Sequence, residues 1–408
     1  VVYLEKTEKS KGRIKQTERP PKHTWKEYLN GEFHNKNVED EIRIIEDKTC
    51  ESSQCWKDDI IRIVNSLAFR RLQFKTQVFL SPEGDHFSDR MRHTLSVAQI
   101  STRIAERCRI NKYLTLAIGL AHDIGHSPYG HAGEIAIDRN IKLGGEPGMF
   151  FHHAPQGARV LIYGEYDSRF AFPVAEREEE IHGIAPTIEV INGILNHSES
   201  YRDKIELGVD RWKKLEEIVG KPGEKLTAEG ECVRISDEIA QCVHDLADAF
   251  QSHYITKNDL RYIFDIDLKY PSKFGEELEK FLIEKCILTD GDYPDLDEKG
   301  LRIINDYKEL IEEKVYVSLE IVTSDNRANH IITQLFNYFF EEDGILKKIE
   351  NGQYKDKIKD LRKIHHRVHR NIYDNKWIFR LTWPRIIANY ISGMTDRYLD
   401  NLHEKMFT

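Results

Sequence analysis

Residues 122–134 place His122, Asp123, His126, His131 and Glu134 within one short run, behind an apolar stretch and among glycines and a proline. The adjacent imidazole and carboxylate of His122 and Asp123 form a mixed donor set. It suits a divalent metal of intermediate hardness such as Mn, Fe, Ni or Zn, with Mg a further candidate where phosphate is handled. One such doublet does not fill a coordination shell, and alone it reads as a helix-end hydrogen bond. The chain supplies further donors on either side. His93 opens a segment in which Val97, Ile100, Ile104 and Cys108 recur at helical spacing. Asp237 lies among Val233, Ile235, Ile239 and Ala240 in a second amphipathic segment. Each is ordinary by itself, the first as a core histidine and the second as an N-cap or surface acid. A histidine, a His-Asp doublet and a distant aspartate in this order on successive helices point instead to one shared metal.

That ligand order resembles the His-Asp (HD) metal-dependent phosphohydrolase superfamily. Longer blocks make the resemblance more specific. Residues 68–79 with 82–86, the block 119–126, residues 185–197, the helix 235–245 and the block 390–398 are similar, in order, to the bacterial deoxyguanosine triphosphate triphosphohydrolases and their dNTPase relatives. More distantly they resemble the animal dNTP triphosphohydrolase that restricts retroviruses. The resemblance covers roughly residues 58–408. It implies an all-α, HD-domain helical fold with a C-terminal helical extension and few or no strands. It also implies hydrolysis of a dNTP, with dGTP the first expectation, to deoxynucleoside and inorganic triphosphate.

The residues can be read against that chemistry. A metal on His93, His122, Asp123 and Asp237 would act as Lewis acid and template at the α phosphorus. The departing 5′-oxygen is a poor leaving group and needs a proton donor. His131, beyond the turn that follows the doublet, is the expected general acid, with Glu134 three residues on to hydrogen-bond it. This pair matches the family's catalytic histidine and acid. His126 matches a position near the phosphates. The segment 150–159 resembles a family segment whose spacing to Gln156 selects His153 over His152 as a catalytic or orienting group, although Ala154 and Gly157 depart from the family pattern.

Asp237, Gln241 and Asp245 share one helix face, with Asp245 about 12 Å along the axis from Asp237. Asp245 is therefore expected to accept the sugar 3′-hydroxyl, where the family resemblance points too. Gln241 stands where relatives carry tyrosine. The resemblance also places Gln77 and Tyr390 at the sugar. Arg90, three residues before His93 on the same face, is a candidate for phosphate oxygens through its planar fork; Lys75, Arg62 and Arg92 are weaker ones.

The chain of 408 residues is 40% hydrophobic and 32% charged, enough for a large core. Its net charge of −9 argues against general nucleic-acid affinity, so the basic residues between Arg62 and Arg92 read as a local polyanion site. The six cysteines form no Cys-x-x-Cys pair, and no segment reads as a signal peptide or long apolar span, which predicts a cytoplasmic protein with no membrane contact. Residues 1–40 read as a polar, mobile or partner-dependent arm, 41–260 as the HD core and 261–408 as a helical region completing the nucleotide pocket. Apolar spacing predicts helices over 58–80, 90–110, 112–124, 131–140, 153–164, 186–197, 229–250, 301–315, 328–341, 356–372 and 383–406. A surface insertion, with room for a hairpin, is expected over 165–183. A homo-oligomer, with a hexamer as the candidate, and a nucleotide effector or single-stranded DNA as partner follow from the resemblance alone. The rival readings are an HD-family 5′-nucleotidase or phosphodiesterase, and a nucleotide- or single-stranded-DNA-binding regulatory protein with an inactive site.

Overall fold

Buried apolar residues repeat at helical spacing through most of the computed structural model, which describes residues 54–77, 89–143, 150–163, 184, 186–198, 227–264, 273–289, 293–340 and 383–407. The arm over 1–40, the insertion over 165–183 and the helix over 356–372 lie outside the described residues.

The single helix expected over 58–80 is two. Helix α1 (Gln54–Asn65) stops where Ser66 turns extended, and the Ser66 hydroxyl accepts from the Phe69 amide to start α2 (Leu67–Arg71). A competing N-cap inside an apolar pattern is enough to break a helix, because it satisfies an amide the new first turn leaves free. Helix α3 (Arg90–Cys108) is capped by Asp89, which accepts from the Arg92 amide, and ends at Arg109 in the left-handed region (φ 57°). Asn111 then caps α4 (Lys112–Ala121), whose Leu114, Ala117, Ile118 and Ala121 are wholly buried against α1 and α3.

Helices α5 (Gly130–Leu143), α6 (His153–Tyr163), α7 (Ile188–Asn196) and α8 (Ala228–Gln251) follow close to their expected spans. Between α8 and the next long helix the structure adds elements that apolar spacing did not reveal. These are α9 (Lys257–Phe264), α10 (Phe274–Glu284) and an antiparallel hairpin of β1 (Cys286–Leu288) and β2 (Pro294–Leu296), with Ile287 opposite Asp295. The hairpin lies between the helices expected over 229–250 and 301–315; strands of three residues are too short to show alternation. Helix α11 (Glu298–Ile311), α12 (Leu319–Phe340), α13 (Trp383–Ser392) and α14 (Asp396–Phe407) complete the described chain. Gly393 separates the last two, where one helix was expected over 383–406.

Two apolar cores result. The first is built on α1, α3, α4, α7 and α8 and continues past residue 260 through Leu278, Leu282, Ile304 and Val315. In the second, Ile137 and Ile141 of α5 meet Ile332, Phe336 and Phe339 of α12 and Ile387 and Ile391 of α13. Each such side chain, fully buried, contributes roughly 1.5–3 kcal/mol. The site lies between the cores, on the segment joining α4 to α5.

Candidate metal centre and its histidine shell

Three helix ends bring the donors together. Asp89 starts α3, so Arg90 and His93 fall on its inward first turn, where both are buried. His122 follows the last residue of α4, and its Nδ1 donates to the Gly119 carbonyl at 2.7 Å. Asp237 projects from α8 with its Oδ1 2.8 Å from His93 Nε2 and 3.7 Å from His122 Nε2. The Asp123 carboxylate lies 3.4 Å from His122 Nε2 through Oδ1 and 3.9 Å from His93 Nε2 through Oδ2.

The donor set fits a metal. With its proton on Nδ1, His122 presents the Nε2 lone pair to two carboxylate oxygens, and that buried nitrogen has no hydrogen-bond partner. A lone pair aimed at anionic oxygen is unfavourable unless a cation sits among them. Burial works to raise the Asp123 carboxyl, but the neighbouring imidazoles of His122 and His126 and the Arg90 guanidinium outweigh it and hold the group well below the usual range. Asp237 is likewise brought down to about 2: burial opposes ionisation, while the His93 hydrogen bond and the neighbouring His122 imidazole outweigh it.

A second layer of imidazoles stacks against this group. The rings of His126 and His153 lie parallel at 3.9 Å, and His126 Nε2 is 3.2 Å from Asp123 Oδ1. His153 Nδ1 donates to Glu134 Oε2 at 2.9 Å, and its Nε2 stands 3.2 Å from His197 Nε2. Burial above all, with the neighbouring positive groups, pushes His126 and His153 well below the ordinary imidazole range and lowers His197. These rings are therefore neutral donors and acceptors rather than cations.

The close approach of α6 that makes this stack requires glycine at 125, since a Cβ there would overlap the His153 carbonyl and the Gly157 amide nitrogen. Gly125→Ala is expected to cost about 1–3 kcal/mol through overpacking. It should lower the melting temperature by several degrees in calorimetry, with activity falling in parallel; an unchanged transition would mean that α6 can back away at no cost.

The expected hydrogen bond between His131 and Glu134 is not formed. Glu134 is buried and turns to His153, with His152 Nε2 at 3.4 Å and His126 Nδ1 at 3.9 Å. His131 is exposed at the start of α5, its ring 5.7 Å from that of His126, and the nearby carboxyl that feels its charge is Asp325 of α12. Spacing of three residues allows the contact, but three other imidazoles compete for the same carboxylate from inside the fold.

Arg90 donates to Asp123 Oδ2 at 2.8 Å and to the Gln77 and Thr76 carbonyls. Lys75 is buried, and its ammonium donates to the carbonyls of His126 and Ser392, so it ties the metal loop to α13; burial, then Arg71, lowers its pKa strongly. Asp396 reinforces that junction by accepting from the Thr76 hydroxyl and amide and the Tyr129 amide. The Gln77 side-chain oxygen is buried without a partner. Asp245 is buried, accepts from the Tyr307 hydroxyl at 2.6 Å, and is pushed up to about 7 by burial against that hydrogen bond. Tyr390 is buried against Phe339 in the second core, ring centroids 5.7 Å apart.

Sequence reasoning missed His197 and Tyr307. A signal for His197 was present: like His122, it follows an apolar helix directly, and its Nδ1 donates to the carbonyl three residues back, that of Ile194, at 2.6 Å. Tyr307 carried no comparable signal, since a tyrosine in the apolar stripe of α11 reads as core.

A match to the HD domain family spans residues 90–242, from Arg90 to Cys242, and so contains all four donors. No helix among the described residues is long and apolar enough to cross a membrane. The deoxyguanosinetriphosphate triphosphohydrolase-like protein of Caldanaerobacter subterraneus subsp. tengcongensis is 32% identical over 374 residues, 91% of this chain and 90% of that one. The similarly named protein of Geobacter sulfurreducens is 30% identical, covering 86% and 88%, and that of Rickettsia prowazekii 28% identical, covering 84% and 89%. With similarity running through both apolar cores as well as the donors, the chain belongs to the deoxyguanosinetriphosphate triphosphohydrolase-like family of HD-domain proteins.

Proposed function

We propose that the protein is a metal-dependent dNTP triphosphohydrolase, with dGTP the preferred substrate, releasing deoxynucleoside and inorganic triphosphate. The observation that carries this reading is the cluster of His93, His122 and Asp237 around an unpartnered His122 Nε2, with the Asp123 carboxylate 3.4 Å from that nitrogen, beside a shell of neutral histidines. A divalent ion on those four residues would supply Lewis acidity and a template for the α phosphate.

The chain's own groups do the rest. Arg90 neutralises Asp123 and keeps its carboxylate turned toward the donors. Glu134 fixes the orientation of His153, and the stacked His126 holds its imidazole beside the reacting phosphate. His131, free at the rim of α5, delivers the proton that the departing 5′-oxygen needs. Further along α8, the sugar 3′-hydroxyl donates to Asp245 through the oxygen that Tyr307 leaves free, and Gln77 offers its unpartnered oxygen to the sugar. Tyr390, packed against Phe339, would meet the sugar's 2′ side. Lys75 acts by holding the metal loop against α13, not by touching phosphate.

A product assay tests the reading. Each of the four dNTPs and GTP is incubated with Mn or Mg, with and without a second nucleotide as activator, and products are resolved by ion-exchange chromatography. Deoxynucleoside plus triphosphate, fastest from dGTP and absent from GTP, is the expected result. Phosphate or pyrophosphate would move the protein to the nucleotidase or phosphodiesterase class, and no product under any condition would make it a binding protein.

A further inference from the structure

Tyr307 carries a hydroxyl where an apolar ring would pack as well. On α11, Ile303, Tyr307 and Ile311 form a buried stripe that continues the first core and lies against α8. A phenylalanine would fill that stripe equally, and a buried hydroxyl is unfavourable unless it finds a partner. The partner here is Asp245 of α8, whose Oδ2 accepts from the Tyr307 hydroxyl at 2.6 Å. Both residues are buried. Among the described residues, nothing donates to the other carboxylate oxygen, Oδ1.

The pairing fixes what Asp245 can recognise. Burial pushes its carboxyl up to about 7, and the Tyr307 hydrogen bond is the foremost influence in the other direction. Burial, then the Asp245 charge, raises the phenol in turn, so Tyr307 stays a donor. An ionised carboxylate only accepts, whereas a protonated one also donates. With Tyr307 on Oδ2, Asp245 is held in the acceptor-only form and fixed in rotation, with Oδ1 open to one incoming hydroxyl. A hydrogen in that place leaves a buried anion unpaired. A phosphate there meets like charge.

The chain after Tyr307 opens this niche outward. A π-turn, Glu312–Tyr316, follows α11 directly, and such turns are frequent at functional sites. Residues nine apart on a regular α-helix, at about 100° per residue, face opposite ways. The wider turn changes that phase, and Tyr316 lies close enough for the Asp245 charge to act on its hydroxyl. Tyr316 is 41% exposed, so it marks the side on which the niche meets solvent.

We infer that Tyr307 is a positioning residue that holds Asp245 toward the sugar and sets the site's selectivity for nucleotides with a free 3′-hydroxyl. The inference rests on the reading of this site as a deoxynucleotide pocket.

A cycle of two ligands and two proteins tests it without requiring turnover. The ligands are the dGTP analogue in which CH2 replaces the 5′-oxygen, so that the bond to the α phosphorus cannot be cleaved, and its 3′-deoxy counterpart. With Mn present, calorimetry gives the Kd of each for the full chain and for Tyr307→Phe, which keeps the ring. The wild type should prefer the 3′-hydroxyl form by at least about 100-fold. Tyr307→Phe should weaken that form by about 10–100-fold, the worth of a hydrogen bond to a charged group, and leave the 3′-deoxy form within about threefold. A thermal melt checks the fold. If Tyr307→Phe unfolds, Asp245→Asn, which keeps volume and removes the charge, should erase the preference in its place. An equal preference in the wild type and the folded variant would overturn the inference. Equal weakening of both ligands would overturn it as well, by making Tyr307 a packing residue. The product assay separates the two readings: a preference lost in Tyr307→Phe, with no triphosphate formed from dGTP by the wild type, would keep the subsite and remove the hydrolase. Binding of neither ligand to the wild type would remove both.

Discussion

Asp237→Ala is expected to strip the metal proposed for His93, His122, Asp123 and Asp237 and to reduce dNTP turnover by at least about 10³-fold. Asp237 Oδ1 is the atom in contact with His93 Nε2 at 2.8 Å and near His122 Nε2 at 3.7 Å, so its loss removes a ligand and the anchor of a second one. Loss of a mere outer-shell partner costs 10–100-fold in metal affinity or activity, and a direct ligand should exceed that. The side chain is about a quarter exposed, at 26%, so the fold should tolerate alanine. Metal content by mass spectrometry, the product assay and a thermal melt on one preparation decide the matter. Metal and turnover retained together would remove Asp237 from the site.

His131→Ala should behave in the opposite way, keeping metal and substrate binding while kcat falls about 10²–10⁴-fold, the range for a positioned general acid. The residue is exposed at the first turn of α5 and touches none of the four metal donors. Its removal should therefore leave the metal content unchanged. KM should stay unchanged while kcat falls, a split that a purely structural role would not produce. If His131→Ala turned over at the wild-type rate, the acid would have to be sought among the inner histidines, with His126 first.

The candidate donors were legible in the sequence as a local doublet with two helical outriders, and helical periodicity shows at once which segments carry them. The companions of those donors were not. Glu134 was expected to serve His131 three residues away and instead serves His153 across 19 positions. Helical spacing says which residues share a face, but not which face meets α6. Asp245 lies on the same helix as Asp237, but the tyrosine 62 positions on that donates to it could not be read from α8 alone. Lys75 looked like one more cation in a basic cluster; the carbonyl of Ser392 that holds it is 317 positions away.

Residue types and spacing by themselves determined the helical class, the candidate metal donors and the likeness to the deoxyguanosinetriphosphate triphosphohydrolase-like family, since these depend on periodicity of about 3.6 residues and on donor chemistry that a few residues carry. Short elements escaped, because a three-residue strand or a capped break at Ser66 is set by one or two local hydrogen bonds beneath an apolar pattern that continues unchanged. The close facing of His153 and His197 was decided by tertiary structure alone. It depends on α6 approaching Gly125 without a Cβ between them, and on two helix-end carbonyls and one buried carboxylate choosing which nitrogen of each ring keeps its proton.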